Sequence, residues 1–144
     1  MPRVSQAVAR QTRQKIIDTA YELLLEEGIE QLTFTNIAKK AGISRSGINA
    51  HFKRKDDLFN ELKSKIVDRL VSTFNFNSPQ EFYESWITNF NSDAEFRRII
   101  VGAGAFFSMD DGINGLKDAI KGNPVEVDMY IKMAVGHSVI NTMK

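Results

Sequence analysis

Apolar residues along this chain recur at three- and four-residue steps, and nowhere do β-branched residues alternate with a period of two. An all-α protein is expected. Residues 6–27 place Val8, Ile16, Ile17, Ala20, Leu23, Leu24 and Leu25 on one broad face; Gly28 then ends that first helix, with Ile29 able to fold back on its last turn. Thr33 can cap a short second helix through Lys40, with Phe34, Ile37, Ala38 and Ala41 apolar; Gly42 stops it, and Ser44 can cap a third through His51. Past the basic run Lys53-Arg54-Lys55, the residues Leu58, Phe59, Leu62, Ile66, Leu70 and Phe74 describe a long fourth helix to about Thr73.

Ser78-Pro79-Gln80-Glu81 and Ser92-Asp93-Ala94-Glu95 both have the S-x-x-E form of a capping box, which predicts helices over 79–90 and 93–109. Asp110-Asp111-Gly112 is expected to break the pattern before a short helix over 113–121. Gly122-Asn123-Pro124 closes that one and opens another, with Asn123 as cap and Pro124 at the first position. Val139, Ile140 and Met143 carry the apolar face of this last helix to the terminus without a stop signal, as a chain cut short would. No repeat, low-complexity tract or flexible linker interrupts the pattern.

Composition narrows the chemistry. The 144 residues, 42% hydrophobic and 26% charged, suit one soluble domain or two small ones sharing a core. No apolar run approaches the ~20 residues that cross a bilayer, and the N-terminus lacks a signal h-region, so a cytoplasmic protein with no membrane partner is expected. Zero cysteines and two histidines, His51 and His137, leave no thiol nucleophile and little for metals, so neither an enzyme nor a cofactor is expected. The net charge of +1 hides an asymmetry: residues 1–55 hold ten Lys/Arg against five acids, and the remainder sums to −4. Such a basic end suits nucleic acid, since phosphate neutralisation releases counterions. A solvated charged face would look the same.

The informative stretch is residues 33–58. Two short helices joined by a tight turn containing glycine have the form of a helix-turn-helix, whose second helix enters the DNA major groove. Ile37, Ala38 and Ile43 would hold the pair together, and Gly42 would supply the positive φ of the turn. Ser44, Arg45, Ser46, Gly47 and Asn49 present small and polar groups to a groove ~12 Å wide. Lys53, Arg54 and Lys55 would clamp phosphate beside the start of the fourth helix, where free backbone amides add to the cations; His51 beside them could donate to phosphate or be an ordinary surface residue.

These residues resemble the TetR/AcrR-type transcriptional regulators. The resemblance covers roughly residues 10–60: R-x-x-I-x-x-x-A-x-x-L-x-x-x-x-G from Arg13 to Gly28, T-x-x-x-I-A-x-x-A-G-I-S from Thr33 to Ser44, and H-F-x-x-K-x-x-L from His51 to Leu58. It implies a DNA-binding domain over 1–56, with Thr33, Ser44, Arg45, Ser46, Gly47, Asn49, His51, Lys53 and Lys55 as DNA contacts, and a helical domain over 57–144 for dimerisation and effector binding. The partners implied are double-stranded DNA with a palindromic operator, a second copy of the chain, and a small apolar ligand. Two departures stand out. Asn49 replaces an aromatic residue that commonly touches phosphate; its amide could still donate to phosphate or could pair with adenine, which predicts an altered base preference rather than lost binding. Residues 57–144 are also short for the family, which predicts either a small effector domain or a missing C-terminal piece.

Nine of the fourteen aromatic residues lie between 74 and 107. They suit an ordinary core or an apolar pocket, and Phe82, Trp86, Phe90, Phe106, Met109, Tyr130 and Met133 are the candidate effector contacts, with Met129 as a further adaptable wall. His137 reads as a helix-packing residue. Gly102-Ala103-Gly104 follows no strand and meets Phe107 where a dinucleotide loop needs glycine, so close helix approach explains it better. Arg3, Arg10 and Arg13 could reach DNA from a mobile N-terminal arm, or form a basic tail with no single role. The expected function is a dimeric repressor released by a small apolar effector; the alternatives are a DNA-binding protein of the same fold without an effector and, remotely, a small helical enzyme or ligand carrier.

Overall fold

Capping chemistry sets the start of six of the eight described helices. The structure, a computed structural model, describes residues 5–102 and 109–142, with side chains from residue 112 onward in the second stretch; within these, every regular element is helical. The helices are α1 (Gln6–Glu27), α2 (Phe34–Ala41), α3 (Arg45–His51), α4 (Lys55–Val71), α5 (Pro79–Ser92), α6 (Ala94–Gly102), α7 (Met109–Ala119) and α8 (Pro124–Thr142), with a 3-10 turn at Ile29–Gln31. Thr33, Ser44 and Ser78 accept the amides of Asn36, Gly47 and Glu81, so side-chain oxygens satisfy donors that a helix start leaves free. Asn123 does the same for Val125 at 2.8 Å ahead of Pro124.

Two expectations are corrected. The cap of α6 is Asp93, whose Oδ1 accepts from the Phe96 amide at 3.1 Å, while Ser92 belongs to the end of α5. Helix α7 runs from Met109 straight through Asp110-Asp111-Gly112. One interior glycine costs only about 1 kcal/mol, so Gly112 does not break the helix.

The chain divides into two compact units, residues 1–65 and 66–144, and the division falls within α4. In the first unit α1 packs on α2 and α3. Its buried side chains include Ile16, Ala20, Leu24, Leu32, Ile37, Ile48, Phe52, Leu58 and Leu62. Two ion pairs tie α1 to α4: Arg13 with Glu61 at 2.6 Å, and Lys65 with Asp18 at 3.1 Å.

The second unit is built on α5 against α8, with α6 and α7 completing it. Phe82, Trp86, Phe90, Phe96, Ile120, Val127, Ile131 and Ala134 form its core. Phe74 stacks on Trp86 with centroids 5.3 Å apart, and the indole Nε1 donates to the buried Ser138 hydroxyl at 2.7 Å. Helix α8 buries Val127, Ile131, Ala134 and Ser138 on one face, while Val125, Met129, Met133 and Ile140 stand exposed on another.

Candidate nucleic-acid interface

A recognition helix needs one face fixed to its own domain and the other free. On α3 the fixed face is Ile48, which is fully buried, followed by the buried Phe52 that caps the helix. Of the residues expected to hold the two helices together, Ile37 and Ala38 are buried and Ile43 is half-buried, but Ile48 is the anchor on α3 itself. Helical geometry then turns Ser44, Arg45, Ser46 and Asn49 to solvent, with Gly47 half-buried between them.

The turn before α3 is set by Gly42, with φ +71° and ψ 32°. The amides of Gly42 and Ile43 both reach the Ala38 carbonyl, the latter at 3.1 Å, which is the six-to-one bond of a Schellman ending. Ser44 holds the start of α3: its Oγ accepts from the Gly47 amide at 3.0 Å and lies 3.1 Å from the Ser46 hydroxyl. Arg45 Nη1 donates to Thr35 Oγ1 at 3.4 Å, bringing an exposed residue of α2 beside the candidate contacts. Thr35 is not among the contacts expected from the sequence. Its place in the first turn of α2, one helix before Arg45, was the available signal.

Thr33 caps α2 and is half-buried, so its hydroxyl already accepts one bond and keeps its own proton to donate. His51 closes α3 half-buried; Lys53, Arg54 and Lys55 are exposed, with Lys55 Nζ 5.2 Å from the Phe59 ring centroid. The amide donors at the start of α4 are partly used by the chain itself, because Asp57 Oδ2 accepts from the Arg54 amide at 3.2 Å. Phosphate held here would rely on the side-chain cations more than on that amide.

Arg10 and Arg13 do not belong to a mobile arm. Both lie within α1, and Arg13 is engaged with Glu61 and with the face of Phe52, its Cζ 4.4 Å from the ring centroid. Arg3 lies outside the described residues.

The candidate effector contacts part company. Phe82, Trp86 and Phe90 are core residues, their rings occupied with Phe74, Phe76, Phe96 and His137. Tyr130 is half-buried against Tyr83, with centroids 5.8 Å apart. Met133 is 44% exposed: it stands two residues past the buried Ile131, a rotation of ~200° on a helix, and shares the outer face with Met129. Phe106 lies outside the described residues, as do the Met109 side chain, Phe107 and the Ala103-Gly104 half of the glycine pair. His137 packs edge-on against Phe90, its Nδ1 3.4 Å from the Asn141 amide nitrogen and its buried Nε2 without a hydrogen bond.

The profile of the bacterial regulatory proteins of the tetR family matches residues 16–62, the segment from α1 into α4. Among curated proteins the chain is 42% identical over 62 residues to the HTH-type transcriptional regulator AcrR of Shigella flexneri, covering 43% of this chain and 29% of that one. It is 42% identical over 55 residues to TtgW, an uncharacterized HTH-type transcriptional regulator of Pseudomonas putida, covering 38% of this chain and 41% of the relative. A probable acrEF/envCD operon repressor of Escherichia coli (strain K12) is 30% identical over 105 residues, covering 68% of this chain and 48% of the repressor. That last alignment is longer than the first unit and so reaches into the second. The chain spans less than half the length of each of these relatives.

Proposed function

We propose that this chain, which belongs to the TetR/AcrR-type regulators through its matched segment 16–62, is a dimeric, sequence-specific repressor that binds a palindromic operator and is released from it by a small apolar effector. The observation that carries the DNA reading is α3: Ile48 and Phe52 anchor one side, and Ser44, Arg45, Ser46 and Asn49 face solvent, with a basic run directly behind. Arg45 and Asn49 are the side chains with the chemistry to read base edges; Thr33, Ser44, Ser46, His51, Lys53 and Lys55 would hold phosphate, and Gly47 keeps the helix slim. Bacterial DNA places such a regulator in the cytoplasm. Among the described residues no helix is long and apolar enough to cross a membrane.

The exposed apolar stripe Val125, Met129, Met133 and Ile140 supports a second copy as partner, because a two-fold mate would cover the same residues on both chains. Two recognition helices would then meet successive major grooves ~34–36 Å apart. An effector bound in the second unit would act through α4, which belongs to both units, by changing that separation.

A second reading keeps the DNA binding and drops the effector. It is favoured by the ring-on-ring packing of Phe74, Phe82, Trp86 and Phe96, which a ligand would have to displace. Selection of bound duplexes from a random DNA pool tests the common part: enrichment of inverted half-sites supports a dimeric repressor, and no enrichment overturns it. Affinity for the selected duplex with and without apolar compounds then separates the two readings, since equal affinity throughout favours the second.

A further inference from the structure

We propose that Arg13 is a positioning residue for operator binding, fastening the carboxyl end of the recognition helix to α4 so that the seating of α3 follows α4. This rests on the DNA-binding reading above. The Arg13 guanidinium does two things at once: Nη2 donates to Glu61 Oε1 at 2.6 Å, and Cζ lies 4.4 Å from the centroid of Phe52. Glu61 is on α4, in the first unit like Arg13 and Phe52. Phe52 is the residue that caps α3, its amide donating to the Ile48 carbonyl at 2.9 Å. One side chain from α1 therefore grips both the end of α3 and the flank of α4.

Phe52 closes α3, so a displaced ring shifts the helix that carries the base-reading candidates Arg45 and Asn49. Arg13, Phe52 and Glu61 line one shallow, open surface depression together with His51, Lys53 and Asn60. The Arg13 and Glu61 side chains are 38% and 43% exposed. A half-exposed ion pair and a cation over a ring are each weak, and such a tie can be broken and remade where a buried one could not. Arginine suits the task because its flat fork can stack on a ring and donate to a carboxylate together; a lysine ammonium offers a point charge.

Loss of the tie leaves α3 correctly seated for only part of the time, and apparent affinity falls with that fraction. The test uses the full chain, the duplex selected as above, and an unrelated duplex of equal length, titrated over a salt series. Arg13→Ala and Glu61→Ala should each weaken binding to the selected duplex about fivefold, and the double variant should lose no more than either single one. Arg13→Lys should recover part of the loss. Binding to the unrelated duplex and the salt slope should stay as they were.

Additive losses, or unchanged affinity in Arg13→Ala, would overturn the proposal. So would a salt slope lowered by about one with both duplexes weakened, because that marks a direct phosphate contact. Equal loss on both duplexes at constant slope, tracking lower thermal stability, would show a merely structural role and overturn it too. If the unaltered chain bound no duplex at all, the repressor reading would fail and this inference with it.

Discussion

Gly42→Ala isolates the backbone term in the turn that aims the recognition helix. Gly42 stands at φ +71°, and a Cβ built there meets nothing within 4 Å. Steric clash is therefore absent, and the cost is that of holding an L side chain in the left-handed region, roughly 1–2 kcal/mol. Stiffening of the unfolded chain by alanine acts in the other direction by about 0.4–1 kcal/mol, so the net loss expected is about 1 kcal/mol. For a cooperative unit of this size that lowers the melting temperature by about 4–8 °C. Far-ultraviolet circular dichroism on heating reads it. Gly42→Asn should cost less than alanine, because asparagine tolerates this conformation better than other side-chain-bearing residues. If alanine left stability unchanged, or asparagine cost as much as alanine, the left-handed turn would not be the source of the requirement for glycine.

Other outcomes follow from single contacts. Phe82→Ala empties the centre of the second unit and should cost about 3–5 kcal/mol in denaturant unfolding; a loss under about 1 kcal/mol would mean that the ring is not core. The Asp93 carboxyl is held below its ordinary value by the Phe96 amide and by Arg69. Its contribution is therefore complete above the unfolded carboxylate range near about pH 4 and is lost as pH falls through the lower folded value. Asp93→Asn should flatten that acid limb of a stability-against-pH curve, and an unchanged limb would remove Asp93 from the account. Lys55→Ala should weaken binding to all duplexes and reduce the salt slope by about one; a change in base preference alone would contradict its role at phosphate.

What was legible in the sequence was local. Thr33, Ser44, Ser78 and Asn123 announce helix starts because their oxygens reach amides two or three residues on, a distance the chain itself fixes. Gly42 announces the turn for the same reason. Asp93 was missed beside Ser92 because both residues can cap and only the fold shows which amide is free. The pairing of Arg13 with Glu61 spans 48 positions, and no periodicity encodes it. Met133 was grouped with the aromatic residues by composition, although its distance from Ile131 along the helix already turned it outward. The DNA contacts were easier to name than the pocket because a motif fixes each exposed position of α3, whereas aromatic richness does not say which rings face a space and which face each other.

The burial of Trp86 has a spectroscopic consequence. It is the sole tryptophan of the chain, stacked on Phe74 and donating to Ser138, and it belongs to the second unit. Its fluorescence is thus a private reporter of residues 66–144, silent about the helix-turn-helix, while circular dichroism sums both units. Two denaturation curves recorded on one sample therefore say whether the units melt together or apart, with no label introduced, and Trp86→Phe would mute the reporter while keeping an aromatic ring in its place.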